Sequence, residues 1–351
     1  MLLVRRTPRI VKTALLRLLP GIAVSVGFLA WFLYSAHWEE LGDALLGARP
    51  GLVVLSAAVL FTEFFIRALR WKVLLRPIAP AARLGRLFVA TVIGMSLNVV
   101  LPFRAGDLAR PWLGARETGT PVLPLVTVAV IERVFDIIGL FSIFCLMLVL
   151  LPEDAAAQGP LVQNLKDYGS LLGVFGGLGL CAFLLMAFSR AQSRRVFMTL
   201  APLLGPLRAR VVQLYDGLSE GLESVRSPRA LAEALALSWL HWFNGSLSIL
   251  VLFHAFSLDL PPAAACFTSV AIALGAAAPQ APGFVGVFHV IIENTLTLWG
   301  QPVSPSKAFA IVFWGVSFLP ITLVGALLWW RQGLSLAEIR GSAAPAGTDA
   351  P

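Results

Sequence analysis

Charge is what this chain has least of. Only 13% of its 351 residues are Asp, Glu, Lys or Arg, against about 25% in an ordinary soluble domain. No polar block is long enough to fold as a separate catalytic domain, and the largest polar region runs from Arg190 to Arg229. Cysteine is scarce too. Cys145, Cys181 and Cys266 lie far apart in apolar runs with no C-x-x-C, which argues against disulfides or thiolate metal sites and reads as three small core hydrophobes. The chain has no Gly-rich phosphate loop, no nucleophile elbow, no Ser/His/Asp arrangement and no H-E-x-x-H. No catalytic residue, metal or cofactor is therefore expected. The basic N-terminus leads into a long apolar run without a small-residue cleavage site, so it reads as a retained span.

What is there is hydrocarbon. The chain is 58% hydrophobic with a mean hydropathy of +0.83. Several runs reach the roughly 18–20 apolar residues that cross a bilayer, so the chain is expected to be a polytopic membrane protein. Its net charge of +8 sits on residues that flank apolar spans. That pattern points to topology and anionic headgroups, with no nucleic-acid partner.

Loop charge orders the spans. Residues 1–13 carry Arg5, Arg6, Arg9 and Lys12 and should be cytoplasmic. The first membrane half, 14–151, opens with a span at about Ala14–Tyr34. A loop with Glu39, Glu40 and Asp43 follows and should lie outside. A second span, about Leu52–Leu69, runs into Arg67, Arg70, Lys72, Arg76, Arg83 and Arg86 at the cytoplasmic end. The acidic loop 152–168 should be outside, so the run Pro124–Leu151 rises from inside to outside. Residues 85–120 must then begin and end in the cytoplasm. The economical solution is a re-entrant hairpin of Leu87–Leu101 and Gly106–Arg116, turning at Pro102.

The second half, 169–330, repeats this with the sides exchanged. A span at Gly169–Phe188 returns to a cytoplasmic amphipathic segment, 190–229, whose stripe Val211, Leu214, Tyr215, Leu218, Leu222 and Val225 suits a helix in the membrane interface or on the protein's underside. Spans at Leu231–Phe256 and Ala308–Trp330 bracket a second hairpin, 263–299, built from Ala263–Ala278 and Gly283–Trp299 around Pro279 and Pro282. Residues 331–351 read as a disordered cytoplasmic tail. The expected fold is all-α and polytopic, with about six full transmembrane helices plus two re-entrant helical hairpins in an inverted repeat.

Polar residues inside such a chain need a reason, because a charge at the bilayer centre costs about 2.5–3.5 kcal/mol on insertion scales. Arg104, Asp107 and Arg110 form one ridge after the first tip, with Asn98 before it. Glu132, Arg133 and Asp136 share the next span, and Glu63, Arg67 and Arg70 share the second. Either these groups pair to hold the hairpin, or the excess arginine receives an anionic headgroup. In the second half His289 and Glu293 lie one helical turn apart, as do His241 and Asn244. The His289–Glu293 spacing suits a hydrogen-bonded pair or a titrating one, and a third metal ligand is missing.

Four motifs in order, RALRWKVLLRP (67–77), GMSLNVVLPFRAGDLAR (94–110), IERVFDIIGL (131–140) and APGFVGVFH (281–289), resemble the lysylphosphatidylglycerol synthase transmembrane, or flippase-like domain, family. The resemblance covers about residues 15–330. It implies a multi-pass protein of the bacterial inner membrane, with both termini cytoplasmic, that moves lipid between leaflets. In the best-known relatives this region precedes a soluble aminoacyl-lipid synthase domain; the present chain looks like a stand-alone member without that activity. Motif residues carried over are Asn98, Pro102, Arg104, Gly106, Arg110, Glu132, Arg133, Asp136, Pro282, Gly283 and Gly286. Asp107 stands where Glu is usual, Phe284 replaces a glycine, and His289 stands where Glu is expected.

The substrate-binding set is therefore Asn98, Arg104, Asp107, Arg110, Glu132, Arg133, Asp136, Pro282, Gly283, Gly286, His289 and Glu293. The expected partner is a membrane phospholipid or an isoprenoid or hopanoid lipid, with self-association left open. A membrane-embedded lipid-modifying enzyme using His289–Glu293, and a non-transporting scaffold for lipid-synthesis partners, are the alternatives.

Overall fold

The computed structural model describes residues 26–34, 36–101, 104–150, 190–200, 227–276 and 282–334, with isolated positions 205, 212 and 215. The first part of span one, the turn residues Pro102, Pro279 and Ala281, the loop 152–168, the span at 169–188, most of the 201–226 stripe and the tail lie outside the described residues. All regular structure among the described residues is helical. A helical stretch at 26–34 precedes α1 (Trp38–Gly47), α2 (Pro50–Leu75), α3 (Leu84–Val100), α4 (Gly106–Thr118), α5 (Val122–Val149), α6 (Arg190–Leu200), α7 (Pro228–Ala255), α8 (Pro262–Gly275), α9 (Val287–Leu298) and α10 (Val303–Arg331). A 3-10 turn, Pro282–Phe284, joins α8 to α9.

Three helices, α2, α7 and α10, are long and apolar enough to cross a membrane. Helix α5 has 28 residues but carries Glu132, Arg133 and Asp136 in its middle. At 1.5 Å per residue, 28 residues reach about 42 Å. Helices α3, α8 and α9 are apolar but short, at 17, 14 and 12 residues. The longest of these reaches about 25 Å, less than the roughly 30 Å hydrocarbon core. Prolines in the first turn start α2, α7 and α8 where the missing N–H costs nothing. Gly119 ends α4 at φ +68°.

Lengths recur. Helices of 26, 17, 13 and 28 residues (α2 to α5) are followed by helices of 28, 14, 12 and 29 (α7 to α10). The packing recurs as well. Helix α3 lies on α10 and α8 lies on α5; α4 lies on α5 and α9 on α10; α5 packs on α7 and α10 on α2. Exchanging the two sets leaves this pattern unchanged. The pair α2–α7 maps onto itself and forms the largest contact. Its rungs run antiparallel: Arg49 N to the Ala255 carbonyl at 2.9 Å, Ser56 to Ser248 at 2.9 Å, Thr62 to Asn244 at 3.2 Å and Arg76 to Glu233 at 2.5 Å. Each set has its own core. Trp71, Leu113, Leu125 and Phe135 centre the first; Phe253, Phe288, Phe309 and Phe313 centre the second.

Three local expectations need correction. The acidic stretch after span one is not a loop but helix α1, packed on α10, with Glu40 accepting from Ser304 Oγ at 2.6 Å. Arg67 and Arg70 do not reach outward from the end of α2: its last turns are walled by α7 and α5, and both side chains turn inward. Cys145 is exposed and free rather than a core residue, whereas Cys266 is buried.

Hairpin α3–α4 closes to backbone contact. A Cβ on Gly106 would lie 1.8 Å from the Gly94 carbonyl oxygen and 2.7 Å from Asn98 Oδ1; one on Gly94 would lie 2.8 Å from Arg110 Cβ. Gly106→Ala is thus an overpacking change, expected to destabilise by about 1–3 kcal/mol. Gly85→Ala, which meets nothing within 4 Å, should not. Thermal melts of the detergent-solubilised proteins check the contrast.

Candidate functional site

The close α3–α4 crossing brings the polar ends of two short helices onto α5. Asn98, near the end of α3, donates from Nδ2 to Asp107 Oδ1 at 2.9 Å and accepts the Asp107 backbone N–H at 3.1 Å. One side chain thereby satisfies an orphan donor at the start of α4 and holds the Asp107 carboxylate in place. Arg104 sits just before α4 at φ +52° and lies 3.5 Å from Asp107 Oδ2. Arg110 projects from the same helix into the core, hydrogen-bonds Glu132 and lies over the Trp71 ring, 4.7 Å from its centre.

From α2 and α5 the network extends. Arg70 Nη2 lies 2.7 Å from Asp136 Oδ1, Arg70 Nε lies 3.7 Å from Glu132, and Arg70 Nη1 donates to Ser238 Oγ at 2.7 Å. Arg67 is within 4.0 Å of both Glu63 and Asp136. It also donates to His241 Nε2 at 2.8 Å, which leaves the proton of a neutral His241 on Nδ1 because a guanidinium cannot accept. Arg133 bridges Asp136 at 3.3 Å and Asp107 at 3.4 Å.

Two layers result. Arg70, Arg110 and Glu132 are sealed, at 1%, 2% and 1% exposure. Arg104, Arg133 and Asp107 form a rim with side chains 48%, 39% and 31% exposed. Among the described residues the charges do not balance: Arg67, Arg70, Arg104, Arg110 and Arg133 face Glu63, Asp107, Glu132 and Asp136. Buried donors also go unused, among them Arg110 Nη1 and His241 Nδ1. A network with one cation in excess, exposed at its rim, can take one anionic group by charge-assisted hydrogen bonds.

The second half is arranged otherwise. The tip turns through Gly283, Phe284 and Gly286, all at positive φ. Trp314 Nε1 donates to the Gly283 carbonyl at 2.8 Å, and α3 packs against this turn. That packing is the contact between the two motif sets. Among the described residues no ion pair or hydrogen bond joins the arginine network to His289 or Glu293. The expected His289–Glu293 pair is also not formed. His289 sits among the rings of Phe32, Phe288 and Trp314, with Nδ1 unpartnered. Glu293 turns instead to Lys307, 3.5 Å away. Sequence reasoning missed Lys307, because a lysine five residues into an apolar helix looks like an ordinary flank. It is fully buried. Ser238 and Trp71, which complete the shells of Arg70 and Arg110, also carried no signal of their own.

Residues 18–325 match the family described as lysylphosphatidylglycerol synthase TM region. The chain belongs to this family. Relatives of this chain include glycosyltransferase AglD of Haloferax volcanii, 25% identical over 325 residues that cover 86% of this chain and 52% of that protein. UPF0104 membrane protein MJ1078 of Methanocaldococcus jannaschii is 23% identical over 67% of this chain and 94% of its own length. A UPF0104 membrane protein of Methanothermobacter thermautotrophicus is 22% identical over 84% of each. The chain thus spans about half of AglD and most of each UPF0104 protein. No solved structure matches it. Family and apolar helices together make it a membrane protein.

Sealed and rim arginines should respond differently to truncation. Arg110→Ala leaves the buried Glu132 with only the longer contact to Arg70 and is expected to destabilise by about 3–5 kcal/mol. Arg104→Ala removes a half-exposed partner and should cost about 1 kcal/mol or less. Thermal unfolding in detergent distinguishes the two.

Proposed function

We propose that this family member is a lipid transporter, moving a polar or anionic lipid between the leaflets of the membrane. The observation that carries this reading is the arginine network, sealed on one side, one cation in excess, and exposed through Arg104 and Arg133. Such a rim suits a phosphate-bearing headgroup. The recurring helix lengths and the exchange symmetry of the packing support an inverted repeat, in which α3–α4 and α8–α9 are re-entrant hairpins among about six full spans. Short helices that meet inside protein are tolerated at membrane depth because the surrounding helices satisfy their ends. On this topology both termini are cytoplasmic, in a bacterial inner membrane. A membrane phospholipid or an isoprenoid or hopanoid lipid fits the site equally in its charged part.

Within the site the roles divide. Arg104 and Arg133 meet the headgroup, Asn98 and Asp107 fix the rim, and Arg110, Glu132, Arg70 and Asp136 hold the hairpin against α2 and α5. The test is reconstitution into phosphatidylglycerol-containing liposomes with a fluorescent headgroup-labelled phosphatidylglycerol, whose outer-leaflet copies are bleached by dithionite. Arg104→Ala and Arg133→Ala are each expected to slow translocation at least tenfold without loss of folded protein. Unchanged rates in both would remove the rim from the mechanism. A lipid product of new mass would favour the lipid-modifying enzyme instead.

A further inference from the structure

A second set of buried ionisable groups lies outside the arginine network. Lys307, in the second turn of α10, is 0% exposed. Its ammonium donates to the Phe32 carbonyl oxygen, lies 4.5 Å from the centre of the Phe32 ring and is 3.5 Å from Glu293 Oε1 on α9. The pair therefore ties together three segments: the 26–34 helix, α9 and α10. His289 stands one turn before Glu293 on α9. Helix α8, also packed on α9, contributes no charged side chain.

The two sets differ in what a proton can do to them. A guanidinium stays charged in any protein environment. Each carboxylate of the first network is held by such fixed cations: Glu63 by Arg67, Asp107 by Arg104 and Arg133, Glu132 by Arg70 and Arg110, Asp136 by Arg67, Arg70 and Arg133. Carboxylate, ammonium and imidazole groups can change their charge. Glu293, whose ion pair among the described residues is with Lys307, gives up that pairing when its carboxylate takes a proton.

Glu293 is also the less enclosed member of the pair. Its side chain is 15% exposed. Asn294 is exposed, and Thr297 and Gln301 are partly exposed, continuing polar atoms from Glu293 to the α9–α10 connection. The second hairpin thus carries a polar track from its end to a buried ion pair.

We propose that the Glu293–Lys307 pair is a proton-binding site that couples the second hairpin to a proton gradient. The Glu293 carboxylate takes a proton from water along the polar track and becomes neutral. The ion pair to Lys307 is lost while the ammonium keeps the Phe32 carbonyl, and α9 is released from α10. Return of the proton to water restores the tie. The coupling rests on the transport reading above; the proton site itself does not.

Infrared difference spectroscopy of the full-length protein in phosphatidylglycerol–phosphatidylethanolamine vesicles reads the site directly. Acidification should produce a protonated-carboxyl stretching band that disappears in Glu293→Gln and persists with a shifted midpoint in Lys307→Met. Identical spectra for wild type and Glu293→Gln, or no band in wild type, overturn the proposal. Should Glu293→Gln fail to fold, Glu293→Asp must move the band, and an unmoved band counts against the site equally. Translocation of the labelled phosphatidylglycerol is then followed with and without an imposed pH gradient. At least a fivefold acceleration in wild type, absent in Glu293→Gln, supports coupling. Translocation indifferent to the gradient removes coupling and leaves transport standing. A band at Glu293 with no lipid movement under any gradient removes transport and leaves the proton site.

Discussion

A guanidinium and a carboxylate sealed together between helices set the terms for the rest of this structure. Arg110 and Glu132 are both nearly inaccessible, and taking two ions out of water costs several kcal/mol each unless geometry and further hydrogen bonds offset it. Their surroundings supply that offset. Arg70 adds a second cation beside Glu132, Ser238 occupies one nitrogen of Arg70, and Trp71 presents its ring to Arg110. To bring Arg110 that far in, α4 must approach α3 to backbone contact, and only glycine at 94 and 106 leaves the room. The hairpin's small residues and its charges are therefore one requirement seen twice.

The same requirement explains why the site is lopsided. Structure and recognition draw on the same residue type, but on different members of it. Inner arginines pair with acids from α5, and the outer two share Asp107 and Asp136. The family resemblance treats Arg104 and Arg110 alike. The fold separates them by nearly fifty percentage points of exposure, which no single-letter motif can express.

Much of the architecture could be read from the chain itself. The boundaries of α3, α4, α7, α8 and α10 fall within a few residues of where apolar runs, prolines and glycines put them, because a helix in hydrocarbon has little choice but to run its full apolar length. The inward turn of Arg67 and Arg70 was readable only as one of two alternatives. Arginine at the end of a span ordinarily reaches for water, and only the neighbouring α7 and α5 make the inside the better place. The His289–Glu293 spacing suggested a pair by helical geometry alone, but Lys307, more than a dozen residues on, is a stronger partner for a carboxylate than a neutral ring. Clusters assembled from distant helices carry no local periodicity, so their composition emerges only with the fold.

The seam between α2 and α7 has a further meaning. Its serine pair would suit a helix packed on a copy of itself. Arg67 and Arg70 would not. Each takes a hydrogen-bond partner from the other half, His241 and Ser238, which a first half paired with its own twin would not supply. Across this seam the two sets of helices are complementary rather than alike, so neither set can stand in for the other.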